Sequence, residues 1–188
     1  MRLFVALDIP DAVRLAIAAA AAKWKQACRA ARWVRIEDAH VTLKFIGEIP
    51  SEKVAQIQAA LASVRGPARI ELTFRGVGFF PNAKRPRVFW AGIEAGPELT
   101  GLAGAVEAAL EPPGIARESR PFSPHLTLAR FDSPAGLERL HAEIAAAGTL
   151  DFGRTAAEEF HLYQSVLKRG GAEYTRLASY RLEGDNPR

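Results

Sequence analysis

The sequence has very little cysteine and no long apolar run, and both shortages limit what the protein can be. Cys28 is the only cysteine among the 188 residues. One cysteine cannot form an internal disulfide or a cysteine-based zinc site, which favours a reducing compartment. The longest stretch of small apolar residues, 16–22, ends at Lys23, far short of the roughly 20 residues of a membrane span. Asp8 interrupts the amino-terminal apolar segment where a signal peptide would continue. We therefore expect a soluble cytoplasmic protein with no membrane association.

Lysine is also scarce, because 19 of the 25 basic residues are arginine. Arginine is favoured for bidentate binding of phosphate, so an anionic partner is one explanation. The 35 alanines support a second explanation, a GC-rich coding bias, which we favour. The net charge of +4 therefore does not by itself indicate nucleic-acid binding. The hydrophobic content of 48% is enough for a globular core.

Two segments recur at the same distance along the chain. RLFVAL at residues 2–7 resembles RVFWAG at residues 87–92, and HVTL at residues 40–43 resembles HLTL at residues 125–128. Both pairs are 85 residues apart, which indicates an internal repeat. We predict one two-lobed domain over residues 1–188, with repeat units at about 1–85 and 86–170 and a closing strand at 174–182.

The apolar pattern predicts the same alternation of strands and helices in both units. Helices should begin near Pro10, Ser51, Pro97 and Ser133, and the first should reach Ala31. The predicted strands cover residues 3–8, 69–74, 77–79, 88–93, 150–152, 158–166 and 174–182. This duplicated arrangement indicates an α+β fold with two mainly antiparallel sheets that face a central cleft, and with the helices outside.

The strongest functional signal is the repeated HxTL motif. Side chains alternate between the two faces of a strand, so His40 and Thr42 should share one face. Val41, Leu43 and Phe45 would then pack in the core. In the second copy His125 and Thr127 share a face in the same way. Approximate two-fold symmetry would bring both pairs to one cleft from opposite sides.

Two opposed imidazoles suit in-line attack on a phosphodiester. With an ordinary pKa of about 6.5, one histidine can accept a proton from the nucleophile while the other gives one to the leaving group. The threonine hydroxyls can donate hydrogen bonds to the non-bridging oxygens, where negative charge develops. This chemistry requires neither a metal nor a cofactor. A single histidine on a strand is usually structural, but its repetition at the same spacing favours catalysis.

Longer segments around the motifs resemble a known family. They are RLFVALDIP at residues 2–10, HVTLKFIGEIP at residues 40–50, RPFSPHLTLAR at residues 120–130 and FHLYQSVLKRGGAEY at residues 160–174. The sequence is similar to the 2H phosphoesterases, which are named for two HxT motifs. Within them it most resembles the RNA 2′,3′-cyclic phosphodiesterases, also called 2′-5′ RNA ligases.

The resemblance implies a bilobal fold and hydrolysis of RNA 2′,3′-cyclic phosphate ends to 2′-phosphomonoesters. In these proteins the first histidine donates a proton and the second accepts one, which assigns His40 as donor and His125 as acceptor. The reverse reaction would join RNA ends through a 2′-5′ bond. We expect an RNA partner with cyclic phosphate ends, no metal, no cofactor and a monomeric protein.

Other residues can contribute to substrate binding. Arg130 follows the second motif and is a candidate contact for phosphate or ribose. Phe45 or Phe122 can stack on a base, although core packing is the favoured role for Phe45. The basic cluster at residues 84–87 can guide RNA or form a solvated loop. His161 is expected to face solvent, because it alternates with apolar neighbours.

Two alternative functions remain open from the sequence. One is an RNA-binding module without catalysis that uses the same cleft. The other is a related phosphodiesterase that acts on small cyclic nucleotides or 2′-5′ oligonucleotides. Substrate choice depends on loops whose positions the sequence does not specify.

Overall fold

Nine β-strands and four α-helices make up the part of the chain that the computed structural model describes, residues 1–168 and 171–182. The strands are β1 (Arg2–Leu7), β2 (Arg32–Trp33), β3 (Val41–Glu48), β4 (Ile70–Phe80), β5 (Val88–Ala95), β6 (His125–Arg130), β7 (Asp151–Ala157), β8 (Glu159–Lys168) and β9 (Gly171–Arg181). The helices are α1 (Asp11–Ala27), α2 (Val54–Ala62), α3 (Pro97–Leu110) and α4 (Leu137–Ala146). Residues 169 and 170, at the end of the predicted second repeat unit, lie outside the described residues.

The strands form two antiparallel sheets. The first sheet has the order β3-β1-β8-β9, and the second has the order β2-β6-β5-β4-β7. Every strand pair in both sheets is antiparallel. The predicted α+β class with two antiparallel sheets is therefore confirmed.

Each sheet takes strands from both halves of the chain. β4, from the first half, pairs with β5 in the second sheet, and β8, from the second half, pairs with β1 in the first sheet. The two sheets are therefore not built separately from residues 1–85 and 86–170. Val41 and Leu126 are equivalent positions of the two HxTL motifs, and they pair with Leu7 and Ala91. In the structure β1 and β5 therefore correspond at a spacing of 84 residues, whereas the two motifs are 85 residues apart.

The helices cover the outer faces of the sheets. α1 and α4 pack on the second sheet, where Trp24 meets Phe89 edge-on with ring centroids 5.4 Å apart. α2 and α3 cover the first sheet. Each helix buries one apolar stripe against a sheet, and these stripes form a common core with the strands. Among the described residues, no helix is long and apolar enough to cross a membrane.

Two helix boundaries differ from the prediction. α1 ends at Ala27 rather than Ala31, because Cys28 leaves the helical conformation and its carbonyl accepts the indole N–H of Trp33 at 2.9 Å. α4 begins at Leu137, after Gly136 adopts a φ of +80°. A side chain at Gly136 would meet the Ala27 carbonyl at 3.0 Å, so this glycine permits the two helix ends to pack closely.

Three strand boundaries also differ. The two predicted segments at residues 69–74 and 77–79 form one strand, β4. The predicted strand at 150–152 extends to Ala157 as β7. The closing strand β9 begins at Gly171, three residues earlier than predicted, because its pairing with β8 extends as far as Lys168 and Gly171.

Candidate active site

The two HxTL motifs face one cavity between the sheets. The cavity has a volume of about 290 Å³, near the lower end of the range for small-molecule sites. Both motif histidines and both motif threonines line it. The other lining residues are Arg2, Phe4, Val34, Asp38, Ala39, Phe45, Arg130, Ser165, Leu167, Ala172 and Tyr174. The structure thus brings together the four residues that the repeat singles out.

Both histidines are oriented by a backbone carbonyl two residues earlier in the chain. His40 Nδ1 lies 2.9 Å from the carbonyl oxygen of Asp38, and His125 Nδ1 lies 2.8 Å from that of Ser123. A carbonyl oxygen can only accept, so each Nδ1 must carry the proton and donate it. Each neutral ring is left with the lone pair on Nε2. That nitrogen is then the one available to exchange a proton with a substrate.

A β-bulge lies at the leucine of each motif, Leu43 and Leu128. Each leucine is skipped when its strand pairs with the neighbouring strand, β1 or β5. An extra residue reverses the alternation of side chains beyond it. Lys44 therefore points into the protein interior, while Phe45 and Arg130 turn towards the cavity.

The predicted core position of Phe45 is consequently wrong. Its side chain is 51% exposed and lines the cavity, because the bulge at Leu43 moves it to the face that carries Thr42. This position agrees with the alternative role of Phe45 as a stacking surface. Arg130, at the equivalent place after the second bulge, is exposed and lines the cavity as expected.

Phe122 and the basic cluster at residues 84–87 do not line this cavity. Phe122 is half-buried and packs against the core. Lys84, Arg85 and Arg87 are exposed, and Lys84 borders a separate surface cleft beside α4. The structure therefore does not bring Phe122 to the predicted binding site.

His40 lies in an aromatic environment. Its ring stacks on Phe4 with centroids 4.4 Å apart, and the edge of Tyr174 meets it at 5.2 Å. Burial lowers the pKa of His40 below its ordinary value of 6.5, and the Asp38 carbonyl and the Asp8 carboxylate oppose this shift. His125 instead meets only the edge of Phe80 among the described aromatic rings, at 5.0 Å. The two imidazoles therefore have different surroundings.

A polar cluster lies next to the His40 stack, around Asp8. The Tyr163 hydroxyl donates to Asp8 Oδ1 at 2.5 Å, and Arg176 forms an ion pair with the same carboxylate. The Tyr163 ring stacks on Phe4 with centroids 5.3 Å apart, and its centroid lies 6.5 Å from that of His40. The cluster thus holds the aromatic platform on which His40 rests.

His161 belongs to this cluster, so the prediction that it faces solvent is wrong. It is 2% exposed, and its Nδ1 lies 2.9 Å from Ser179 Oγ. The face of β8 that carries His161 is covered by the side chains around Asp8, whose carboxylate lies 3.6 Å from His161 Nε2. Burial lowers the pKa of His161, which favours its neutral form.

Sequence reasoning missed several residues of the cavity wall. Arg2 and Phe4 are two residues apart on β1 and both face the cleft. Ser165 on β8 pairs with Tyr174 on β9, and both also line the cavity. Alternation in β1 indicates that Arg2 and Phe4 share a face. Their position beside His40 follows only from the pairing of β1 with β3. Within the described residues, no group of three or more potential metal ligands is clustered.

Comparisons with known proteins agree with this architecture. A sequence model described as the 2′-5′ RNA ligase superfamily matches residues 10–169. The RNA 2′,3′-cyclic phosphodiesterase of Archaeoglobus fulgidus is 35% identical over 181 residues, which cover 94% of this chain and 98% of the relative. The protein of the same name from Thermus thermophilus is 36% identical over 197 residues, which cover 100% and 93%.

A solved structure shares the whole fold. The crystal structure of E. coli LigT complexed with 3′-AMP superimposes with a TM-score of 0.80 at 31% identity, and the match covers 96% of this chain and 97% of that one. The two-sheet fold with paired HxT motifs is that of the 2H phosphoesterases. Within this class, the chain belongs to the 2′-5′ RNA ligase superfamily.

Proposed function

We propose that the protein hydrolyses RNA 2′,3′-cyclic phosphate ends to 2′-phosphomonoesters. The observation that carries the proposal is the pair of carbonyl-oriented histidines on opposite sheets, both lining one cavity. The relatives named RNA 2′,3′-cyclic phosphodiesterase support this substrate. Because both sheets are formed by one chain, a monomer contains the complete site, and we propose a cytoplasmic monomer that acts in RNA processing or repair.

In the proposed reaction, water attacks the phosphorus on the side of His125. His125 Nε2 accepts a proton from the water as the new P–O bond forms. The bond from phosphorus to the 3′ oxygen breaks, and His40 Nε2 gives that oxygen a proton. The product is a 2′-phosphomonoester with a free 3′ hydroxyl. The opposite sequence of steps would form a 2′-5′ link between RNA ends, and dilute solution favours hydrolysis.

The remaining polar side chains serve the phosphate. Thr42 and Thr127 donate hydrogen bonds to the non-bridging oxygens, which gain negative charge in the transition state. Arg130 supplies a positive charge from the second sheet. The two imidazoles provide both the acid and the base, so the proposed reaction is independent of a metal ion.

The donor role of His40 depends on the bound substrate. Burial lowers the pKa of His40, so the free protein favours the neutral ring, which cannot donate from Nε2. The anionic phosphate adds negative charge to the cavity and raises the pKa of a neighbouring imidazole. Substrate binding therefore brings His40 to the protonation state that its role requires.

The size of the cavity favours one second candidate. A volume of about 290 Å³ suits a single nucleotide, so a small cyclic nucleotide is an alternative substrate. An RNA-binding module without catalysis would have no use for two oriented imidazoles. The relative rates on a nucleoside cyclic phosphate and on an RNA end separate the two enzymatic candidates.

The test is the turnover of a short RNA with a 2′,3′-cyclic phosphate end in the presence of EDTA. We expect the wild-type protein to form the 2′-monoester, and His40→Ala and His125→Ala each to lower kcat by about 10²- to 10⁴-fold. His141→Ala, outside the cavity, is the matched control and should retain the wild-type rate. Tight RNA binding without turnover would favour the binding module, and loss of activity in EDTA would contradict metal independence.

A further inference from the structure

Two arginines line the cavity from opposite sheets. Arg2 lies on β1 in the first sheet, and Arg130 lies on β6 in the second. Among the ion pairs of the described residues, neither guanidinium takes part. A cyclic phosphate end carries one negative charge at the reacting phosphorus. The second guanidinium therefore has no assigned counter-charge in the reaction described above.

The Arg2 guanidinium is held on the ring of Phe45. Its central carbon lies 5.0 Å from the ring centroid, within the range of a cation–π contact. A guanidinium that stacks on an aromatic ring keeps the N–H donors in its own plane available. Such a group is well placed to bind a phosphate in a bidentate manner.

Both arginines also lie near the Tyr174 hydroxyl. Burial raises the pKa of Tyr174, and the charges of Arg2 and Arg130 oppose this shift. Both guanidinium groups are therefore close enough for their charges to act on this hydroxyl. The cavity is therefore lined by two cationic groups, one from each sheet, and by the neutral hydroxyl of Tyr174.

The Arg2 guanidinium and the first HxTL motif lie at different levels along the strands of the first sheet. Phe45, which carries the Arg2 guanidinium, pairs with Phe4, whereas Thr42 pairs with Ala6. Two residues of a strand span about 6.6 Å. The Arg2 guanidinium thus rests on a residue whose level in the sheet differs from that of Thr42, which places it away from the level of the first motif.

We propose that Arg2 binds the phosphodiester on the 5′ side of the terminal nucleotide. The site therefore selects oligonucleotide ends over nucleoside 2′,3′-cyclic phosphates, which lack this group. Phe45 holds the guanidinium in place, and Leu167, on the same cavity wall, adds apolar surface for a base. This inference rests on the proposed function, because it assumes that the cyclic phosphate lies between the two HxT motifs.

The experiment compares kcat/KM for adenosine 2′,3′-cyclic phosphate with that for the dinucleotide ApA that ends in a 2′,3′-cyclic phosphate. We expect the wild-type protein to prefer the dinucleotide about 10- to 100-fold, the range of a charge-assisted hydrogen bond. Arg2→Ala should reduce this preference to within about threefold of unity. Arg2→Lys retains the charge without the planar donors and should give an intermediate preference.

A second dinucleotide, in which an uncharged methylphosphonate replaces the linking phosphate, isolates the charge. The wild-type protein should lose its preference with this substrate, and Arg2→Ala should lose nothing further. Arg69→Ala is the matched control, because Arg69 is exposed, pairs with Glu71 and does not line the cavity. It removes the same net charge and should retain the wild-type preference.

The outcomes separate the inference from the proposed function. If the wild-type protein hydrolyses neither substrate, the proposed function fails and this inference fails with it. If it hydrolyses both without a preference for the dinucleotide, the function stands and the role of Arg2 is wrong. If Arg2→Ala lowers kcat/KM equally for both substrates, Arg2 acts on the fold or on the cyclic phosphate, and the inference is also wrong.

Discussion

At the scale of single residues, the site depends on which nitrogen of each imidazole is free. The backbone carbonyls of Asp38 and Ser123 fix Nδ1 as the donor in both rings, so Nε2 is free in both. These two carbonyls have the same spacing along the chain as the two histidines. The sequence predicted the pair of histidines, but it contains no sign of the tautomer, because any residue can supply a carbonyl.

The effect of the Asp8 carboxylate on the pKa of His40 can be measured. The Asp8 carboxylate raises the pKa of His40 against the larger lowering effect of burial. In Asp8→Asn the negative charge is lost while an oxygen remains to accept from Tyr163, so the midpoint of the His40 titration should move to lower pH. The ring resonances of His40 in a nuclear magnetic resonance titration report this midpoint.

Asp11→Asn is the control for this titration. The Asp11 side chain is 97% exposed and does not appear among the causes of the His40 shift. We expect the control to leave the His40 midpoint in place. An unchanged midpoint in Asp8→Asn would mean that the carboxylate does not act on His40, and a rise would contradict the sign of the effect.

At the scale of the elements, the bulges explain both a success and an error of sequence reasoning. Alternation correctly placed Thr42 and Thr127 on the cleft face, because both precede the bulge. It placed Phe45 wrongly, because the extra residue at Leu43 reverses the pattern. A bulge depends on how a strand pairs with its neighbour, and the sequence of one strand does not show it.

The same bulge turns Lys44 into the protein interior, where it connects three elements. Lys44 Nζ donates to Glu107 Oε2 on α3 and to the carbonyl of Ala116 in the following loop, both at 2.7 Å. Lys44 is 5% exposed, so loss of its partner leaves a buried charge unpaired. We expect Glu107→Gln to lower the free energy of unfolding by about 3 kcal/mol, measured by urea denaturation.

Two further variants make this prediction sharper. Lys44→Met combined with Glu107→Gln removes both charges and should be less destabilised than the sum of the single variants. Arg69→Ala breaks an exposed ion pair with Glu71 and should change stability by less than about 1 kcal/mol. Additive effects of the two interior substitutions would show that Lys44 and Glu107 are not coupled.

At the scale of the whole molecule, the sequence predicted the fold class and the cleft but not the composition of the sheets. Local patterns identified most strands, and the repeat indicated that two similar units face each other. β4 pairs with β5 of the second half, and β8 pairs with β1 of the first half. No local sequence pattern shows these long-range pairings. The burial of His161 has the same origin, because alternation with Phe160 and Leu162 does not reveal which neighbours cover the other face of β8.

The central claim is that, of the two histidines on opposite sheets, His40 serves as the acid and His125 as the base. A 3′-deoxynucleoside 2′-(para-nitrophenyl phosphate) tests it most directly, because nitrophenolate replaces the 3′ oxygen and leaves without a proton. With this substrate His40→Ala should lose less than about tenfold in kcat, whereas His125→Ala should lose about 10²-fold or more, as it does with the cyclic phosphate. Equal losses for both variants with both substrates, or recovery of His125→Ala in place of His40→Ala, would contradict the account.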